Sequence, residues 1–226
     1  MINKLVASAR DAVADVKDGA TMMIGGFGTA GVPTDLITAL LEQGASRLTI
    51  VSNNAGNGDT GIAALLKARR VKKIVCSFPR QTDSYVFDAL YRGGEIELEV
   101  VPQGNLVERI RAAGAGIDGF FTRTGYGTLL AAGKESRVIN GRNCVLEYPI
   151  HADVALIKAS RGDRFGNLVY RKTARNFGPV MATAARCTIA QVDEVVGLGA
   201  LDPEVIVTPG IFVHRVVSVP HAKAAS

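Results

Sequence analysis

Between Met22 and Leu36 the chain reads MMIGGFGTAGVPTDL: an apolar run, then Gly25, Gly26, Phe27, Gly28, Thr29, Ala30 and Gly31, then a proline and the start of a helical pattern. Glycines at 26, 28 and 31 have the spacing of a dinucleotide-binding turn, in which backbone N–H groups approach a phosphate-bearing ligand. Three other short stretches stand where an apolar run stops: Ser52-Asn53-Asn54-Ala55-Gly56, Ser77-Phe78-Pro79-Arg80 and Pro102-Gln103-Gly104. If those runs are parallel strands, all four stretches share the rim where open α/β sheets bind ligands. That rim offers bare backbone, two asparagines, an arginine and a glutamine, and few carboxylates. Neutral donors of this kind suit a carbonyl oxygen that gains negative charge during reaction, as in acyl transfer.

The same residues also exclude chemistry. A dinucleotide site expects an acidic residue at the end of the second strand, about 20 residues past the glycines, to hold ribose hydroxyls. Asn53 and Asn54 stand there instead, and no Walker-type lysine and hydroxyl follow the glycines. Plainer roles stay open for each feature: a tight turn for the glycines, a turn pair for the asparagines, a helix cap for Gln103. His151, His214 and His221 are scattered, and none sits in a nucleophile-like motif. Cys76, Cys144 and Cys187 are odd in number and widely spaced, without metal-type pairing, and Cys76 reads as a buried strand residue. Glu147 is the one carboxylate to watch, a structural hydrogen bond being the commoner use of such a residue. A cradle of donors with no nucleophile, metal cluster or acid–base pair reads as half an active site. The other half would come from a partner chain.

The elements that must position this rim alternate. Strand-like runs at residues 20–26, 47–54, 71–78 and 95–104 are followed by helical patterns at 33–44, 61–70, 83–94 and 105–116. Such alternation predicts βαβ winding and an open, largely parallel sheet with helices on both faces. Thr34 and Gly44 are placed to cap the second helical segment, and residues 1–16 read as an amphipathic helix. The pattern changes at residues 137–148, where two β-prone runs flank Asn140-Gly141 and predict an antiparallel hairpin. A buried strand at 152–160, a helix at 178–186 and late strands at 187–196 and 211–219 complete the order, and residues 220–226 read as a frayed tail.

No linker or charged block divides the 226 residues, so the expectation is a single domain over 1–226. The formal charge of +5 is scattered without interleaved aromatics, which favours a polyanionic small ligand or a plain basic surface over nucleic acid. No stretch approaches the ~18 apolar residues of a membrane span, and the N-terminal residues lack the pattern of a signal peptide. The expectation is a cytoplasmic protein with reduced thiols.

Seven blocks carry a resemblance: DGATMMIGGFGTAGVP, SNNAG, PQGNLVERIRAAGAG, TGYGTL, VLEYPIHADVALIKA, DRFGNLVYRKTARNFGP and TPGIFVHRVV, in this order from about Asn3 to Val219. Together they resemble the family I coenzyme A transferases, and specifically the A (alpha) chain of the bacterial 3-oxoacid type. CSFPRQTDSYVFDALYRGGEIELEVVPQGN, residues 76–105, most resembles the 3-oxoadipate branch; the acetoacetate branch is the alternative. The resemblance implies a B-subunit partner, in a heterodimer or a dimer of heterodimers, whose glutamate within a Ser-Glu-Asn-Gly block attacks the acyl-CoA. This chain has no such block. It further implies that Gly25 to Gly31 contact coenzyme A, that Gln103 donates to the oxyanion, and that Asn53 and Asn54 flank the partner's glutamate. No permanent cofactor and no metal are implied; the coenzyme A thioester is a co-substrate. Arg80, beside the rim, is a candidate for the distal carboxylate of a dicarboxylate acceptor. Arg171, Lys172 and Arg175 suit either coenzyme A phosphates or a subunit interface. A stand-alone ligand-binding or regulatory α/β module is the rival from another class.

Overall fold

The computed structural model describes residues 2–219. Its elements run α1 (Ala9–Val13), β1 (Thr21–Ile24), α2 (Thr34–Gln43), β2 (Leu48–Val51), α3 (Ile62–Lys67), β3 (Val71–Cys76), α4 (Tyr85–Arg92), β4 (Glu97–Val100), α5 (Gln103–Ala115), β5 (Phe120–Thr122), β6 (Ser136–Ile139), β7 (Arg142–Glu147), β8 (Ala152–Asp163), β9 (Leu168–Val169), α6 (Gly178–Ala184), β10 (Ala185–Val196) and β11 (Arg215–Ser218). Seven strands form a parallel sheet in the order β11-β10-β8-β1-β2-β3-β4, and β9 adds to β8 antiparallel. A separate antiparallel sheet has the order β5-β7-β6. The α/β class, the parallel winding and the hairpin excursion expected from the sequence are all present.

Period-two alternation sorts the apolar side chains to two faces. From β1, Met22 and Ile24 enter one core and Met23 the other. The first core packs under α1 to α4, through Leu36, Leu40, Leu65 and Phe87 among others. The second packs under α5 and α6, through Leu106, Ile110 and Met181. Strands covered on both faces read as continuous apolar runs, which is why the central strands are legible in the sequence. The chain winds outward from β1 to β4 and returns to β1's other side with β8. The direction of winding therefore reverses between β1 and β8, a topological switch point.

Two local expectations are corrected. Residues 2–7 are extended rather than helical: Val6 N donates to Val216 O at 2.9 Å and Val216 N to Lys4 O at 2.8 Å, so this segment pairs with β11. Helix begins only after Ser8, whose Oγ accepts from Asp11 N at 3.1 Å. Thr34 is the first residue of α2 rather than its cap, and no local side chain satisfies the first turn. Gln191 of β10 does so from 156 residues away: its Oε1 accepts from Asp35 N at 3.2 Å and its Nε2 donates to Asp35 Oδ2 at 2.5 Å. Gly44 ends α2 as expected, at φ 97°. β5 is an addition to the expected order, its three residues being too few for a periodic signal. The tail at 220–226, with His221, lies outside the described residues.

The buried Glu147 binds the small sheet to the large one. Its carboxylate accepts from Lys134 Nζ at 2.7 Å and Asn105 Nδ2 at 3.2 Å, and lies 3.7 Å from Arg109 Nε. Arg109 also reaches Glu99 of β4 at 3.0 Å and donates to Tyr148 O at 2.7 Å. A carboxylate so surrounded has a structural occupation.

Replacing Gln191 by Ala orphans the first N–H groups of α2 and should lower stability by about 1–3 kcal/mol in urea denaturation. An unchanged midpoint would show that water caps α2 equally well.

Candidate functional site

The glycine loop leaves β1 at the switch point. Gly25 N donates to Leu156 O at 3.0 Å, so the loop starts from β1's pairing with β8. Phe27 and Ala30 then exchange N–H···O bonds of 3.0 and 3.1 Å, closing a two-residue turn with Gly28 (φ 58°) at its first central position. That position favours glycine because L side chains strain there. Two neighbouring glycines are required for a different reason. A Cβ on Gly26 would stand 2.5 Å from Val32 Cγ2, and one on Gly31 would stand 2.3 Å from the carbonyl oxygen of Ala174. A Cβ on Gly28 would meet nothing within 4 Å. The turn tip is therefore open while its two bases are packed.

Asn176 fastens those bases. Its Oδ1 accepts from Gly26 N at 3.1 Å, and its Nδ2 donates to Ala30 O at 3.0 Å and to Thr173 O at 2.9 Å. One side-chain amide thus holds both arms of the turn to the segment after β9. Sequence reasoning misses Asn176. It stands two residues before Gly178-Pro179 at a helix start, where an asparagine ordinarily reads as a local cap.

Asn53, Asn54 and Gln103 are brought together with Ser52 and Ser77 at the carboxyl ends of β2, β3 and β4. Gln103 Nε2 donates to Asn53 Oδ1 at 2.7 Å, and Ser77 Oγ lies 3.1 Å from the same oxygen. Ser52 Oγ donates to Ile24 O at 2.9 Å, linking β2 to the residue before the glycine loop. Asn53 is buried and Gln103 exposed, so the bond holds the base of the glutamine's amide and leaves its second N–H unengaged. Gln103 does not cap α5: Pro102 is the capping residue and makes no side-chain bond. Gln103, Gly104 and Asn105, in the first turn of α5, line a hollow together with Phe27, Phe120 and Val180. Asn54 does have the plainer role, its Oδ1 accepting from Gly56 N at 2.9 Å in a side-chain turn; it lines a separate hollow with Gly25, Gly26 and Gly28, which Gln103 does not reach.

Other titratable groups stand away from this work. Burial pushes the Cys76 thiol up to about 12, the wrong direction for a thiolate nucleophile. Among the described residues no group of three His, Cys, Asp or Glu could hold a metal ion, and no helix is long and apolar enough to cross a membrane. Arg80 Nε is held by Asp88 Oδ1 of α4 at 2.6 Å, with the arginine side chain half exposed. Lys172 and Arg175 line a hollow with Phe27, Ala30 and Asn176, beside the glycine turn.

Gly31→Ala should cost on the order of 2–4 kcal/mol, from strained φ plus a backbone collision, whereas Gly28→Ala should cost about 1 kcal/mol from φ alone. Urea midpoints of the two variants decide it; equal losses would contradict the packing of Gly31 on Ala174.

The chain matches the coenzyme A transferase family model over residues 6–219. It is 68% identical to the A-type subunit of 3-oxoadipate CoA-transferase from Pseudomonas putida, over 100% of this chain and 98% of that protein. It is 51% identical to the A-type subunit of succinyl-CoA:3-ketoacid coenzyme A transferase from Xanthomonas campestris, over 95% of this chain and 88% of that one. An acyl-CoA transferase from Escherichia coli O157:H7 superimposes with a TM-score of 0.85 at 25% identity, over 96% of this chain but only 47% of that one. An open rim of neutral donors, a glycine turn at the switch point and a family match over nearly the whole chain lead to one conclusion: this chain belongs to the coenzyme A transferases, as an A-type subunit.

Proposed function

We propose that, with a B subunit supplying a catalytic glutamate, this chain moves coenzyme A from succinyl-CoA to 3-oxoadipate. The observation that carries the proposal is the Gln103–Asn53 pair, an oriented donor whose one neighbouring hydroxyl, Ser77 Oγ, is itself bonded to Asn53 rather than to a general base among the described residues. Identity is also higher to the 3-oxoadipate relative than to the 3-ketoacid one. Acetoacetate as acceptor is the second reading, favoured by the latter match.

The exchange proceeds in balanced steps. The partner's carboxylate attacks the thioester carbonyl of succinyl-CoA, and the coenzyme A thiolate leaves a succinyl-glutamyl anhydride. The thiolate attacks the glutamyl carbonyl, releasing succinate and leaving a glutamyl-CoA thioester. The acceptor carboxylate then repeats the two steps in reverse order and departs as its CoA ester. Each step passes through a tetrahedral adduct with a charged oxygen. Gln103 donates its second N–H to that oxygen, and Asn53 fixes the glutamine amide so that no reorientation is needed during reaction. Asn53 and Asn54 flank the incoming glutamate as neutral neighbours. They neither raise its pKa as an anion would nor neutralise it as a cation would. Residues Gly25 to Gly31 present the turn along which the thioester arm lies. Binding energy gained there, away from the reacting carbon, is available to the transition state.

Arg80 is assigned to the distal carboxylate of 3-oxoadipate. Asp88 takes its Nε, which leaves the two Nη nitrogens as a fork for a carboxylate.

With this chain and a B subunit combined, and both acceptors offered with succinyl-CoA, transfer to 3-oxoadipate should exceed transfer to acetoacetate. The reverse preference would keep the chemistry and overturn the substrate assignment. Gln103→Ala should lower kcat about 10²–10³-fold with little change in KM for succinyl-CoA; a loss confined to KM would contradict the oxyanion role. Arg80→Met should raise KM for 3-oxoadipate while sparing acetoacetate. Equal effects on both acceptors would remove Arg80 from the acyl site.

A further inference from the structure

The small antiparallel sheet is covered unevenly. Its register places Phe120 and Thr122 of β5, Val145 and Glu147 of β7, and Ser136 and Val138 of β6 on one face, because paired residues and every second residue share a side. α5 covers the β5–β7 end of that face: Asn105 reaches Glu147, and Phe120 and Thr122 line the Gln103 hollow. Val145 and Glu147 are buried, whereas Val138 is 69% exposed. Ser136 stands two strand spacings, roughly 10 Å, from Thr122, and Val138 is the next residue on the same side. The uncovered part of the face therefore runs on from the wall of the Gln103 hollow.

The connection from β5 to β6, residues 123–135, adds to this surface. It starts at the hollow, with Thr124 in the lining and Thr124 O accepting from Asn105 Nδ2 at 3.1 Å. Leu129, five residues on and so within ~17 Å of Thr124, is 93% exposed. Its backbone is not loose. Thr128 Oγ1 accepts from Leu130 N at 3.2 Å and donates to Gly125 O at 2.7 Å, and Ala131 N donates to Thr128 O at 3.0 Å. Lys134, near the end of the connection, is anchored on the buried Glu147. Singly exposed apolar side chains are ordinary. Here Tyr126, Leu129, Leu130, Val138 and Ile139 place five exposed large hydrophobics within fourteen residues. β6 is also the outer strand of its sheet, so one row of its backbone groups has no partner strand among the described residues. Arg137, the one charge in β6, does not guard Val138: it is paired with Glu135 at 2.6 Å and lies over the Phe121 ring on the opposite face.

We propose that Leu129 and Val138 anchor the B subunit, with the open edge of β6 and the 123–135 connection forming its docking surface. The occupant follows from the hollow: a glutamate from a separate chain must reach Gln103, and this surface borders the hollow that Gln103 lines. A leucine already held in place loses little freedom on binding. The assignment rests on the CoA-transferase reading and adds which surface of this chain brings the partner to the oxyanion donor.

The test measures the affinity of the full chain for its B subunit, the chain with the Ser-Glu-Asn-Gly block, by calorimetry. Leu129→Asp and Val138→Asp should each raise Kd roughly tenfold or more, because each sets a charge against a desolvated apolar anchor. Both side chains are exposed in the free chain, so the urea midpoints should not move. Ile211→Asp, at an 80% exposed residue of another loop, should leave Kd unchanged. Amide hydrogen exchange should slow across residues 126–139 when the native complex forms. Unchanged Kd for both variants overturns the surface, and so does an equal loss with Ile211→Asp. Unchanged exchange at residues 126–139 overturns it whatever the variants do. If the chain alone forms a dimer that Leu129→Asp abolishes, while B-subunit binding is kept, a second copy is the occupant and the B-subunit assignment falls. Binding is read without turnover, so the reaction is judged apart from it. A native complex that loses affinity in both variants but transfers no coenzyme A removes the reaction and leaves the surface standing. A native chain that does not bind its B subunit overturns the surface.

Discussion

Everything at the rim depends on β1 being paired in parallel on both sides. Met22 and Met23 face β2 partners Ile50 and Val51 on one edge and β8 partners Val154 and Ala155 on the other. Parallel pairing of this kind requires crossover connections, so the chain must cover both faces with helices before it can return. It also puts the carboxyl ends of β1, β2, β3 and β4 side by side. The glycine turn, the asparagines and Gln103 come from separate crossovers, yet meet because each follows a strand of one sheet. Full burial of Met22, Met23 and Ile24 makes β1 a fixed base from which the turn can be aimed.

The site that results works by orientation more than by charge. Asn53 accepts from Gln103 and from Ser77, and Ser52 bonds back to Ile24, so a chain of neutral hydrogen bonds crosses the strand ends. Anchored on the buried Ser52 and Asn53, this network holds the exposed glutamine amide in one orientation. A neutral donor has a further use in an exchange reaction. In the proposed reaction the same site binds charged carboxylates, releases them and stabilises an oxyanion between. A fixed cation at the oxyanion position would also hold the free carboxylates. Cations near the rim stand to either side of that position: Arg80 follows the third strand, and Lys172 and Arg175 line a hollow with Phe27 and Ala30 of the glycine turn.

Legibility in the sequence follows the range of the interactions. The parallel strands are visible because two-sided burial leaves apolar runs, and glycine or proline marks where each one stops. The hairpin is visible because Asn140 and Gly141 both take positive φ, at 51° and 70°, which that dipeptide favours. Residues 2–7 mislead because Leu5 and Val6 continue the apolar period of α1, and no local feature reveals that their backbone pairs with Val216. The capping of α2 by Gln191 and the fastening of the glycine turn by Asn176 are invisible for a stronger reason. They span 156 and 150 residues, and only the closed sheet brings the partners together. Gln103 lies between these cases. Its place at a strand end is legible, but the choice between helix cap and rim donor is made by Asn53, which sits 50 residues earlier.

The proposed reaction divides the labour: this chain would supply oriented donors and a thioester cradle, and its partner the nucleophile. Intact-mass spectrometry of the heteromeric complex after brief exposure to succinyl-CoA, without acceptor, tests it directly. The expected result is a coenzyme A adduct on the partner chain and none on this one. An adduct on this chain would contradict it.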